Sequence, residues 1–216
     1  MDTLTLTQEY YLCSIGDKGR YPALDMERGI CLVAAGMLEL MLGKAVALEG
    51  EKLSVLRPLP EESACLEELY QLIRREQPVK VQHVLESFLV SISDNRLKEL
   101  LGAVGASLVP AGAARPEKGG LFGGRTLYVP DEAWRDRVVQ NLRAELLEDG
   151  ALSDEGAALA ALLHKSGVIG RYFSAYEKKA LKERLKELKD RPDNQLVGRM
   201  IEYIEDLMAL AVVAST

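Results

Sequence analysis

Leu108–Pro130 reads LVPAGAARPEKGGLFGGRTLYVP, the longest stretch without helical character in a chain of 216 residues. Leu108-Val109 and Thr126-Leu127-Tyr128-Val129 are short apolar runs on either side of a Gly/Pro-rich segment. That pattern predicts a β-hairpin with a long tip. The predicted tip carries Arg115, Lys118 and Arg125 around the apolar pair Leu121-Phe122. Cations beside two large apolar side chains suit a membrane surface or an anionic partner.

Outward from this hairpin the chain is helix after helix. Upstream, Thr5 or Thr7 caps a helix to about Ile15, and Asp25 precedes a second helix over Met26–Leu42. The second helix is apolar nearly all round, which predicts a central helix packed on several sides. Ala45–Leu48 and Leu53–Leu56, joined through Glu49-Gly50-Glu51, predict a second, small hairpin. Helices are expected at about 61–76, 79–92 and 95–104. Downstream, Asp131 caps a helix to about Glu148, and helices over 154–165 and 174–189 follow. A last helix is expected over 194–214, with Leu196, Met200, Ile204, Leu207 and Leu210 on one face. The fold class is therefore mainly α: a single compact helical domain, residues 1–216, with a protruding β-hairpin and a second small hairpin.

Composition narrows the function. The net charge of −6 disfavours nucleic acid as the main partner, because phosphate contacts need a dominant basic face. Cys13, Cys31 and Cys65 are odd in number and lie in apolar patterns, which predicts free thiols in a reducing, cytoplasmic setting and no disulfide framework. The opening residues lack the basic and apolar regions of a signal peptide. The most apolar run, 30–42, is too short to span a bilayer and contains Glu39. Attachment to a membrane would be peripheral.

Gly119–Thr126 approximates a phosphate-cradling GxxxxGK[ST] loop with Arg125 in the lysine place, but such a loop needs a helix directly after it, and Thr126–Pro130 reads as strand. His83 and His164 stand alone in their helices, without the three or four ligands zinc requires. No nucleophile elbow is present. The expectation is of no catalytic residues, no metal and no cofactor. Trp134, the only tryptophan, begins the helix after the hairpin and is expected beneath its first turn.

Several motifs together resemble the Golgi phosphoprotein 3 family. The opening Leu4-Thr5-Leu6-Thr7-Gln8-Glu9-Tyr10-Tyr11-Leu12 is similar to that family's LTLxEExLLL start. Gly36-Met37-Leu38-Glu39-Leu40-Met41-Leu42-Gly43 is similar to its MLxELxLxG turn, and Ala211-Val212-Val213-Ala214 to its AVVAA close. The helix from Arg96 to Gly105 and the hairpin after it complete the order of elements.

The resemblance implies a non-enzymatic, mostly helical domain that binds phosphatidylinositol 4-phosphate on membranes, takes protein partners, and uses its hairpin tip on the bilayer or for self-association as a homo-oligomer. The family's lipid-pocket positions fall on Leu24, Val33, Ser91 and Asp94, all of which depart from its aromatic and arginine pattern. Arg28 and Arg96 are the neighbouring cations that could serve a headgroup instead. A winged-helix-like nucleic-acid regulator is the alternative, because a helix followed by a Gly-rich hairpin also resembles a recognition helix and wing.

Overall fold

The structure is a computed structural model and describes residues 3–21, 26–89, 96–119, 124–147 and 152–189. The last helix expected over 194–214, with the Ala211–Ala214 motif, lies outside the described residues.

Helix α1 (Leu6–Ser14) leads through a Gly-containing turn toward α2 (Met26–Leu42). Strands β1 (Val46–Glu49) and β2 (Lys52–Val55) form the small hairpin, in the register Val46 opposite Val55 and Glu49 opposite Lys52. A 3₁₀ turn (Glu61–Leu66) runs into α3 (Glu67–Glu76). The chain then adds a two-residue strand β3 (Val79–Lys80) to β2 before α4 (Val81–Leu89). The second hairpin is thus the larger part of a three-stranded antiparallel sheet. Residues 79–80 were expected to start a helix. Two residues carry no periodicity, and only pairing with Lys52 and Leu53 makes them strand.

Helix α5 (Arg96–Ser107) precedes the long hairpin, β4 (Ala114–Gly119) and β5 (Arg125–Pro130). Helices α6 (Glu132–Leu147) and α7 (Asp154–Lys165), a 3₁₀ turn (Val168–Arg171) and α8 (Ala175–Lys189) complete the described chain. The fold is mainly α with two small antiparallel sheets, as the sequence predicts.

Helix α2 is central for the reason its composition suggests: every residue from Gly29 to Met41 is buried. Helix α7 shares the interior, with Gly156–Leu163 buried on all faces of an Ala/Leu run. The buried side chains form one contiguous cluster from Leu6 to Leu181. Gly36 lets α2 and α3 approach closely, since a Cβ there would stand 2.7 Å from Leu69 Cδ2 and 3.2 Å from Leu66 Cδ2. Cys13 and Cys31 are buried and Cys65 half-buried, all three as free thiols. Burial pushes the Cys13 thiol up to about 12 and the Cys65 thiol up to about 11, so neither is a thiolate near neutral pH.

Both ends of α1 draw on residues from other parts of the chain, with one local contact at the start. A helix leaves its first N–H and last C=O groups without intrahelical partners. At the N-terminus the Gln8 side chain returns to accept from Thr5 N at 3.0 Å. The buried Glu39 carboxylate of α2 accepts from Thr7 N at 2.9 Å and from Ser63 Oγ at 2.7 Å. At the C-terminus Arg135 Nε donates to Leu12 O (3.2 Å), Tyr172 Oη to Cys13 O (2.7 Å) and Arg28 Nη1 to Ser14 O (3.2 Å). A carboxylate at the start and guanidinium groups at the end also match the sense of the helix dipole.

Candidate membrane-contact site

The long hairpin differs from its prediction in one respect that matters. Leu108-Val109 is not a strand. Helix α5 ends at Ser107, and residues 108–113 form a turn in which Gly112 takes φ +70°, a conformation that favours glycine. The first strand is Ala114–Gly119, which the sequence presents as loop. Ala-Arg-Pro-Glu-Lys-Gly has little strand propensity. It becomes strand because it pairs residue for residue with β5, from Ala114 opposite Pro130 to Gly119 opposite Arg125. Pro116 is tolerated because each strand of a two-stranded ribbon is an edge.

This corrects the placement of the cations. Arg115, Lys118 and Arg125 are strand residues, not loop-tip residues. Lys118 and Arg125 lie at the distal end of the ribbon, one on each strand. Arg115 lies nearer the base, opposite Val129, with its Nε 3.0 Å from Glu117 Oε1. Leu121 and Phe122 lie outside the described residues. The base of the ribbon is buried at Ala113, Ala114, Val129 and Pro130, while Arg115–Lys118, Arg125 and Thr126 are exposed. The hairpin therefore protrudes, with an anchored base and a solvated outer half.

The anchoring is specific. The Tyr128 ring lies against α5 at Gly105, and a Cβ at Gly105 would run into that ring and stand 2.8 Å from Tyr11 Oη. The Gly16–Arg20 turn lies along β5, where a Cβ on Gly19 would meet Tyr128 O at 2.7 Å. Two helices and a turn thus hold β5 from one side.

The two headgroup candidates lie on different elements. Arg28 is half-buried in the first turn of α2 and donates to Ser14 O. Arg96 opens α5, with Nε 3.5 Å from Glu68 Oε1. The ends of these helices meet, since a Cβ at Gly29 would contact Leu89 and Leu97 at 3.1 Å each. Val33 is 0% exposed in the middle of α2, so this pocket position is a core position in this chain. Leu24, Ser91 and Asp94 lie outside the described residues.

Elsewhere, a cavity of about 500 Å³ opens between α1, α6 and α7. Glu9, Glu39, Glu62, Glu145 and Glu155 line it, with Arg137 as their countercharge. The Arg137 guanidinium is itself 4.4 Å from the centre of the Trp134 ring. Burial, with the Glu145 and Glu155 carboxylates nearby, raises Glu9 to about 7. Trp134 is half-buried and packed on the core, as expected for its position.

His83 Nε2 pairs with Glu76 Oε2 at 2.8 Å on the surface. Among the described residues, no group of three or more His, Cys, Asp or Glu is arranged to hold a metal ion. Arg125 and Thr126 are in β5, so no helix N-terminus follows Gly124 as a phosphate loop would require. Among the described residues, no helix is long and apolar enough to cross a membrane.

The fold is a helical body with a two-stranded ribbon that carries Lys118 and Arg125 at its outer end. The family model for Golgi phosphoprotein 3 (GPP34) matches residues 6–207, and the chain belongs to that family. No curated protein matches the chain.

Proposed function

We propose that this protein is a non-enzymatic, peripheral membrane adaptor that touches anionic phospholipid through the outer half of the β4–β5 hairpin. The observation that carries the reading is the exposed end of the ribbon. There Lys118 and Arg125 flank the Gly120-Leu121-Phe122-Gly123 segment on a base fixed to the core. Membership of the Golgi phosphoprotein 3 family supports it.

Magnitudes decide what kind of attachment this gives. Burying Leu121 and Phe122 in lipid contributes about 1.5–3 kcal/mol each at best. Lys118 and Arg125 add about 1 kcal/mol each near an anionic surface. Arg115 adds little. It is four residues from Gly119, roughly 13 Å along a strand, beyond a Debye length of about 8–10 Å, and it is paired with Glu117. The sum of about 5–8 kcal/mol is comparable with a single lipid chain, which binds reversibly. Firm residence then calls for a second contact, either a protein partner or a second copy that raises the effective concentration.

The nucleic-acid alternative has less support. The exposed face of α5 offers Lys98 and Glu99 followed by Ala103 and Ala106, one cation against one carboxylate, which is a poor phosphate-binding face.

Co-sedimentation with vesicles of phosphatidylcholine and phosphatidylglycerol tests the proposal. The double substitution Leu121→Asp and Phe122→Asp is expected to reduce partitioning by about a hundredfold or more, the equivalent of about 3 kcal/mol. Unchanged partitioning would remove the hairpin from the mechanism.

A further inference from the structure

The segment after β2 holds a leucine out in water. Leu56 is 63% exposed, yet its backbone is fixed. Leu56 N donates to Ala45 O at 2.8 Å, and Val55 N before it donates to Gln77 Oε1 at 2.8 Å. Pro58 fixes its own backbone and restricts that of Arg57. Tyr70 Oη donates to Arg57 O at 3.0 Å, which ties the segment to α3. The exposed leucine is therefore held in place by hydrogen bonds on three sides of its segment.

A groove of about 430 Å³ lies between residues 55–59 and α3. We propose that it docks a short extended peptide of a partner protein, one with a bulky apolar residue beside an aspartate or glutamate. The inference rests on the adaptor half of the reading above, since an adaptor needs a protein partner. It does not depend on the hairpin's contact with lipid.

Three observations carry it. The first is the wall. Val55, Leu56 and Leu59 line one side, and α3 supplies the other through Tyr70, Gln71 and Arg74, whose spacing puts them on one helix face. The volume falls in the range of roughly 300–1,000 Å³ usual for binding sites, and the apolar side can take a large apolar side chain.

The second is charge. Arg57 and Arg74 line the groove against a single carboxylate, Glu67. Arg57 donates to the neutral Gly43 carbonyl and keeps its charge. Among the described residues no carboxylate pairs with Arg74, and Glu67 accepts from Gln71 Nε2 at 2.8 Å. One surplus positive charge remains, in a chain whose net charge is −6. One ligand carboxylate balances it, in the paired geometry a guanidinium favours. A lysine or arginine on the ligand would add to the surplus. A nucleic acid, which needs several cations, gains little from one. The third is rigidity: a segment already held by Ala45, Gln77 and Tyr70 loses little freedom when a peptide binds.

A peptide array tests the proposal. Its members place Leu, Ile or Phe beside Asp or Glu, with the same apolar residues beside Lys as controls, and it is probed with the full chain. The acidic members should retain the chain and the lysine members should not. The best-retained acidic peptide, labelled with fluorescein and followed by anisotropy, should bind Leu56→Ser about tenfold more weakly and Arg74→Glu at least tenfold more weakly. Both residues are exposed, so both variants should keep the Tm of the unaltered chain.

Equal retention of acidic and lysine members overturns the proposal, as does unchanged affinity in either folded variant. A dimer that Leu56→Ser dissolves, with no peptide retained, would put a second copy in the groove and also overturn it. Peptide binding by a chain that ignores vesicles keeps the groove and refutes the lipid contact. Vesicle binding with no peptide retained does the reverse.

Discussion

Glu9→Gln should make the protein more stable at high pH and leave it unchanged at low pH. Glu9 lies in α1, facing Glu145 of α6 and Glu155 of α7 across the acidic cavity, with Glu39 and Glu62 also on the lining and Arg137 as the opposing charge. In the folded chain burial and the two neighbouring carboxylates raise it to about 7, against 4.5 for the unperturbed side chain. Between those values the folded state holds a proton that the unfolded state has released. The contribution to stability is fully present below the unfolded value and is lost as pH rises through about 7.

A shift of about 2.5 units corresponds to about 3 kcal/mol at about 1.4 kcal/mol per unit. Glu9 is half-buried beside an open cavity, so solvent screening reduces the expected effect to about 1–2 kcal/mol. Glutamine keeps the shape and carries no charge. Urea unfolding at about pH 3.5, below the unfolded value, and at about pH 8 measures it: the difference between the two proteins should be near zero at the lower pH and about 1–2 kcal/mol in favour of glutamine at the higher. A constant difference at both pH values, of either sign, would show that burial, with the Glu145 and Glu155 carboxylates nearby, does not raise this group in the folded chain.

Other outcomes follow from individual contacts. Glu39→Ala orphans the Thr7 N–H and the Ser63 hydroxyl inside the protein, which should cost about 1–3 kcal/mol for each group, read as a lower urea midpoint. Gly105→Ala drives a methyl group into the Tyr128 ring and should cost about 1–3 kcal/mol by overpacking, with the loss reported by exchange of the β5 amides. The Leu121→Asp, Phe122→Asp substitution is read on vesicles as described above and should leave the far-ultraviolet circular dichroism unchanged.

The helices were legible because their signals are local. The Met26–Leu42 and Asp154–Lys165 limits agree with the caps and periodicity residue for residue, since an all-apolar run or a Ser cap is written within one segment. Strands β3 and β4 were not legible. Val79-Lys80 and Ala114–Gly119 have no pattern of their own and are strand only because β2 and β5 are there to pair with them. Misreading β4 moved Arg115 and Lys118 to the tip, and starting the second strand at Thr126 moved Arg125 there; the ribbon register returned all three to its sides.

The same division holds for function. Composition and motif order were enough to indicate the Golgi phosphoprotein 3 family and a cationic, apolar hairpin. The uses of Arg28 and Arg135 at the end of α1, and of Glu39 at its start, could not be read from spacing, because each acts on a carbonyl or amide from another part of the chain. The seat of β5 left one local sign, Gly105 within a helix, where glycine is unfavourable without a packing reason.

By itself, then, the sequence determined the elements whose stabilisation is short-range, namely helix content, caps, the central apolar helix and the charge of the hairpin. Tertiary structure alone decided which backbone became β4, which cations lie near the outer end of the ribbon, and which carboxylates face one another around Glu9. Pairing register and charge proximity are set by distances in space, and those distances join residues up to a hundred or more positions apart in the chain.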